Sequence, residues 1–125
     1  MSVRILVADD DPFIRQLVVF TLKTRGYEIL EASNGAAALA LARQTQPDLV
    51  VLDVLMPEMT GLQVTKTLSQ DPATAHIPIV ILSANAQQSD IDAGLASGAV
   101  AYLVKPFEPK ILAERVAEIL ERRNT

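Results

Sequence analysis

Five times along this chain a short β-branched, apolar run gives way to a longer stretch with helical spacing, and this alternation restricts the fold more than any other feature. The strand-like runs cover residues 3–8, 27–32, 48–53, 77–83 and 101–104. The third reads DLVVLD, continuously apolar between two acids, as a strand covered on both faces does. Pro78, near the start of the fourth run, predicts an edge position or the first residue of a strand. Helix signals separate these runs. Asp11 can cap a helix with Pro12 at its first position, running to about Arg25 and ended by Gly26. Asn34-Gly35 reads as a turn before a helix over 36–45, closed by Pro47. A loop around Met56, Pro57 and Met59 precedes a helix over 62–69. A helix over 88–97 stops at Gly98, and Pro109 opens a last one to about Arg122. Strands alternating with helices of this size predict an α/β fold: one doubly wound, five-stranded parallel sheet flanked by five helices. The 125 residues fit one domain over 1–125, with Arg122, Arg123, Asn124 and Thr125 as a loose end.

In an open α/β sheet, ligands sit beyond the carboxyl ends of the strands, at a switch in strand order. The polar residues of this chain gather there. The first strand ends in Asp9 and Asp10, the third in Asp53, the fourth in Ser83 and the fifth in Lys105-Pro106. Strand ends are often polar, so each alone has a bland reading. Four of five strands delivering carboxylates, a hydroxyl and an ammonium to one edge is a stronger signal. Converging carboxylates repel unless a cation offsets them. The chain has no cysteine, and its single histidine, His76, lies before the fourth strand without a second ligand at suitable spacing. All-oxygen ligation points to Mg²⁺, with Mn²⁺ as an alternative, rather than zinc. Mg²⁺ takes one or two carboxylates and meets phosphate oxygens, which a lysine and a hydroxyl opposite it would also suit. A carboxylate so placed can itself be the nucleophile and give an aspartyl phosphate. Asp11, the third acid of the triplet, is assigned to the helix cap, Glu58 to solvent and His76 to the surface.

The motifs LVADDDP, LDVLMPEMTG, ILSA and YLVKPF, in this order and spacing, resemble the receiver domain of two-component response regulators, as in chemotaxis receivers, over essentially the whole chain. The resemblance implies the strand order 2-1-3-4-5 and makes Asp53 the phosphoacceptor. It implies that Asp10, Asp53 and the backbone carbonyl of Leu55 ligate Mg²⁺ and that Asp9 acts through a water. Ser83 would hydrogen-bond the phosphoryl group, Lys105 would pair with it, and the Lys105–Pro106 peptide would be cis. The implied function is a phosphorylation-activated signalling switch. A histidine kinase or histidine phosphotransfer protein donates to Asp53, Ser83 moves inward, Tyr102 fills the vacated space, and the acyl phosphate slowly hydrolyses. The domain would thus catalyse its own phosphorylation and dephosphorylation while serving mainly as a signalling part. Its output would be a downstream protein effector or a fused output domain, in the cytoplasm. Leu55 and Asn85 occupy positions that tune phosphate lifetime in the family. One departure stands out: receivers of winged-helix transcription factors carry an acidic pair just before the switch aromatic, and here those positions are Val100 and Ala101. This argues against the salt-bridged dimer of that subgroup.

Other readings fit less well. A receiver-like interaction domain working without phosphorylation would have lost part of the acid pocket, and here it is complete. A haloacid dehalogenase-type phosphatase needs a second acid two residues after the nucleophile, where this chain has Leu55. A flavodoxin needs a Ser/Thr/Gly-rich loop after the first strand, where three carboxylates would repel the flavin phosphate. A net charge of −4 argues against direct nucleic-acid binding, and no apolar run approaches the roughly 20 residues of a membrane span.

The helical faces carry the remaining signal. In the first helix Ile14, Leu17, Val18 and Leu22 follow core spacing. Phe13 and Phe20, seven apart beside Leu17, widen the stripe, and Val19 lies off the core line. The surplus apolar surface at Phe13, Leu17 and Phe20 predicts a docking face for a histidine-bearing helical bundle. The last helix turns Ile111, Leu112, Val116, Ile119 and Leu120 inward, with Lys110, Glu114, Glu118 and Arg122 outside.

Overall fold

The computed structural model describes residues 2–123; Asn124 and Thr125, the end of the expected loose tail, lie outside the described residues. The elements are β1 (Arg4–Ala8), α1 (Pro12–Lys23), β2 (Glu28–Ala32), α2 (Gly35–Thr45), β3 (Leu49–Asp53), α3 (Gly61–Gln70), β4 (Ile79–Ser83), α4 (Gln88–Ala96), β5 (Ala101–Val104) and α5 (Pro109–Arg123). All strand pairs are parallel and the order is β2-β1-β3-β4-β5, with β1 and β3 adjacent where the order reverses.

The alternation of side chains along each strand divides the core in two. Leu6, Val50, Leu52, Ile79 and Ile81 face one side with Ala38 and Ala42 of α2 and Val64 and Leu68 of α3. Ile5, Val7, Val51, Val80 and Leu82 face the other, with Val18 and Leu22 of α1 and Leu112 and Val116 of α5. Both faces of β1, β3 and β4 are therefore dry, which accounts for their unbroken apolar sequences.

Several local expectations shift. Pro78 precedes β4, an interior strand, so of its two predicted positions the strand start is the one realised; its carbonyl accepts from the Val50 N–H at 3.0 Å. Asn34-Gly35 is not a free turn. Asn34 caps α2, its Oδ1 accepting from Ala37 N at 2.7 Å, and Gly35 is the first helical residue. A side chain at Gly35 would run into the carbonyl of Met59, so that glycine permits the α2 start to meet the loop after β3. Val19 belongs to the core, whereas Ile14 is only partly buried. Ile111 is exposed, and Ala113 takes the inward place on α5. No helix among the described residues is long and apolar enough to cross a membrane.

Candidate functional site

The carboxyl ends of β1, β3, β4 and β5 meet at one edge. Asp11 marks the start of α1: its Oδ1 accepts from Phe13 N at 2.9 Å and Ile14 N at 3.4 Å. That cap sets the turn that carries Asp9 and Asp10. Asp9 is buried, with both carboxylate oxygens engaged: Oδ1 accepts from the Asp11 N–H at 2.9 Å and Oδ2 from Lys105 Nζ at 2.9 Å. Asp10 is exposed beside it.

Asp53 ends β3 and is also buried. The chain then leaves the sheet through a tight loop. Gly61 N–H donates to the Val54 carbonyl at 2.9 Å, and a side chain at Gly61 would run into the Asp53 carbonyl. Within this loop Glu58 has φ of 71° and Met59 N–H donates to the Pro57 carbonyl at 2.8 Å, a three-residue turn. Thr60 and Gln63 form a reciprocal capping box that fixes the start of α3. Met56 is buried, Glu58 exposed, and the Leu55 side chain points to solvent at 61 % exposure.

Lys105 follows β5, on a cis Lys105–Pro106 peptide. Its Nζ lies 3.4 Å from Asp53 Oδ1 as well as on Asp9. Ligand oxygens of Asp9, Asp10 and Asp53 all fall within 4.8 Å of one another. The electrostatics follow from that crowding. Burial, then the Asp9 charge, push the Asp53 carboxyl above the usual carboxylate range, against the pull of Lys105 and the Leu55 N–H. Burial alone would lower the Lys105 ammonium, but its hydrogen bond to Asp9 and the charges of Asp53 and Asp9 outweigh it and raise it. One ammonium thus stands against two buried carboxylates and a third at the rim. This all-carboxylate donor set, without histidine or cysteine, suits a hard divalent cation.

Ser83 ends β4 fully buried, its Oγ accepting from the Asn85 N–H at 3.1 Å. Tyr102 is half-buried, and its hydroxyl donates to the Asn85 carbonyl at 2.8 Å. The Asn85 backbone therefore joins the two residues. That link is absent from the sequence reading, since backbone hydrogen bonds leave no residue signature. Gly94, the buried residue of α4, lies against Tyr102 and is also new; a glycine inside a helical pattern was the available signal.

Away from the pocket, Phe13 and Phe20 are 81 % and 69 % exposed on α1, with Leu17 between them at 37 %. Together with Pro12 they form an apolar surface that starts at the acidic edge. His76 is exposed at the opposite end of the sheet, Val100 is exposed, and Ala101 is buried at the start of β5.

The model of the response regulator receiver domain family matches residues 5–117. Among similar curated proteins, the DNA-binding dual master transcriptional regulator RpaA of Synechocystis sp. is 43 % identical over 95 % of this chain and 49 % of its own length. The DNA-binding response regulator MtrA of Mycolicibacterium smegmatis is 40 % identical over 98 % of this chain and 52 % of its own. The chain spans about half the length of these curated relatives. Among solved structures, a putative response regulator from Chloroflexus aurantiacus superposes with a TM-score of 0.92 at 36 % identity, covering 97 % of this chain and 99 % of that one. The chemotaxis response regulator CheY4 of Vibrio cholerae superposes at 0.89 and 34 % identity, over 95 % of this chain and 99 % of that one.

Proposed function

The chain belongs to the response regulator receiver domain family, a phosphorylation-activated switch, and we propose that it works as one such domain over residues 1–125 with Asp53 as its phosphoacceptor. The observation that carries this reading is a buried Asp53 paired with Lys105 beside two further carboxylates. Asp10, Asp53 and the Leu55 carbonyl would hold Mg²⁺. Asp9 would act through a water, as its two oxygens already serve the Asp11 N–H and Lys105. When bound, the metal offsets carboxylate charge and the charge developing on the transferred phosphoryl group.

The chain's own residues supply the rest. A carboxylate oxygen of Asp53 attacks phosphorus, the donor's P–N bond breaks, and its electron pair leaves with the imidazole nitrogen of a histidine kinase or phosphotransfer protein. Lys105, already 3.4 Å from Asp53, pairs with a phosphoryl oxygen, and the Ser83 hydroxyl donates to another. Ser83 then gives up its bond with the Asn85 N–H, and through the Asn85 peptide the change reaches Tyr102. The Phe13, Leu17 and Phe20 surface adjoins the pocket and receives the donor's helices. Output passes to a protein effector or a fused output domain in the cytoplasm, with no nucleic acid held by this domain itself, in line with its net charge of −4.

The test is intact mass after incubation with acetyl phosphate or phosphoramidate and Mg²⁺. One added phosphoryl group is expected, lost in Asp53→Asn and on chelation. Wild type that gains nothing would sink the reading.

A further inference from the structure

Gly94 is buried in the interior of α4, where a glycine weakens the helix relative to alanine. α4 has little else to hold it: nine residues, no side-chain cap, and no other buried residue. The space where a side chain would stand is filled by the Tyr102 ring. A Cβ on Gly94 would lie 2.7 Å from Tyr102 Cδ2, 3.0 Å from Cε2 and 3.2 Å from Ile81 Cδ1. Carbon atoms in contact prefer about 3.5–4.0 Å. Ile81 is the register partner of Tyr102 on β4, so the ring is held between α4 and the sheet. From there its hydroxyl reaches Asn85, whose N–H reaches Ser83.

We propose that Gly94 is a positioning residue of the switch: its missing side chain is the seat for the inward Tyr102 ring, and the size of residue 94 sets how often that ring is inward. The proposal rests on the switch reading given above. The tyrosine ring, rather than the backbone, is the group that would have to give way, since it can rotate outward about χ1. If phosphoryl binding at Asp53 and the inward ring favour each other, then disfavouring the inward ring weakens binding of the phosphoryl mimic, by at most the factor that couples the two.

The protein contains two tyrosines, Tyr27 and Tyr102, and no tryptophan, so in a Tyr27→Phe background the Tyr102 ring signals stand alone. Two quantities are measured with and without Gly94→Ala. One is the nuclear Overhauser contact between the Tyr102 ring and the Ile81 δ1 methyl. The other is the affinity for fluoroberyllate with Mg²⁺. The expected result is loss of the contact and about fivefold or more weaker fluoroberyllate binding. An unchanged contact and affinity would overturn the proposal. A double-mutant cycle reads the seat independently of any phosphoryl chemistry. Gly94→Ala should lower the urea midpoint with Tyr102 present and raise it in Tyr102→Ala, where only the better helix propensity of alanine remains. Equal destabilisation in both backgrounds would place the clash elsewhere and overturn the proposal. If Gly94→Ala alone does not fold, folding of the Gly94→Ala/Tyr102→Ala protein supports the seat and its failure to fold refutes it. Wild type that binds no fluoroberyllate would instead sink the phosphoacceptor reading, while the cycle would still decide whether residue 94 seats the ring.

Discussion

Asp9 and Asp53 are both buried and share the Lys105 ammonium, and that imbalance has a thermodynamic consequence. Burial and Asp9 raise the Asp53 carboxyl, so in metal-free protein at neutral pH its ionised form costs stability. Asp53→Asn removes the charge and keeps the shape. It is expected to raise the urea midpoint in EDTA at pH 7; a lower midpoint would show that Lys105 already overcompensates the pair. The triplet Asp9-Asp10-Asp11 divides along similar lines. Asp11 serves two backbone N–H groups of α1, so Asp11→Ala should cost about 1 kcal/mol and leave Mg²⁺ affinity intact. Asp10 is exposed at the rim, so Asp10→Ala should abolish Mg²⁺ binding with little loss of stability. Urea titration and Mg²⁺ titration of the two variants would reverse this order if the division were wrong.

Among the elements, α1 is apolar on two faces. Val18, Val19 and Leu22 bury against the sheet, and Phe13, Leu17 and Phe20 remain outside. Phe13→Ala or Phe20→Asp should slow phosphotransfer from the cognate histidine donor by about tenfold or more while leaving uptake from acetyl phosphate near wild type, since hot-spot aromatics dominate interface energy. Comparable loss with both donors would mean a damaged pocket instead. The division of α1 was partly legible in its sequence, because the Phe13–Leu17–Phe20 line exceeds what one core contact needs. Val19 was misplaced because neighbouring positions of a broad apolar stripe differ by only one helical step. The pocket residues were legible through strand ends, where composition changes abruptly from apolar to charged. The glycines were not. Gly35 and Gly61 lack side chains because the carbonyls of Met59 and Asp53 stand where a Cβ would be, and those neighbours lie 24 and 8 residues away in the chain. Local sequence cannot show a tertiary neighbour, and Asn34-Gly35 accordingly reads as a turn when it is a helix cap.

Over the whole molecule the two ends of the sheet are electrostatic opposites. At the acidic end the carboxylates outnumber their partners. At the other end Asp48 accepts from the Arg4 backbone N–H at 2.8 Å and from Arg123 at 3.0 Å, while the Arg4 guanidinium bonds the Thr45 carbonyl at 2.7 Å. Burial pulls the Asp48 carboxyl upward, but the Arg4 N–H and the Arg123 guanidinium outweigh it and hold it below its ordinary value of 3.8. The two acids therefore act on stability in opposite senses. Asp48 contributes stability that is fully present above 3.8 and is lost as pH falls through its lowered folded value. Asp53 keeps its proton to higher pH in the folded state, so stability falls as pH rises from 3.8 through its raised value. Urea midpoints measured in EDTA between about pH 3 and 7 separate them, because each neutral variant removes one slope. Asp48→Asn should be less stable than wild type at pH 7, by no more than about 1 kcal/mol for so exposed a pair, and the gap should close below pH 4. Asp53→Asn should show its largest gain at pH 7, shrinking as the pH falls toward 3.8. If both variants shifted the profile in the same direction, the opposition between the two ends would be refuted.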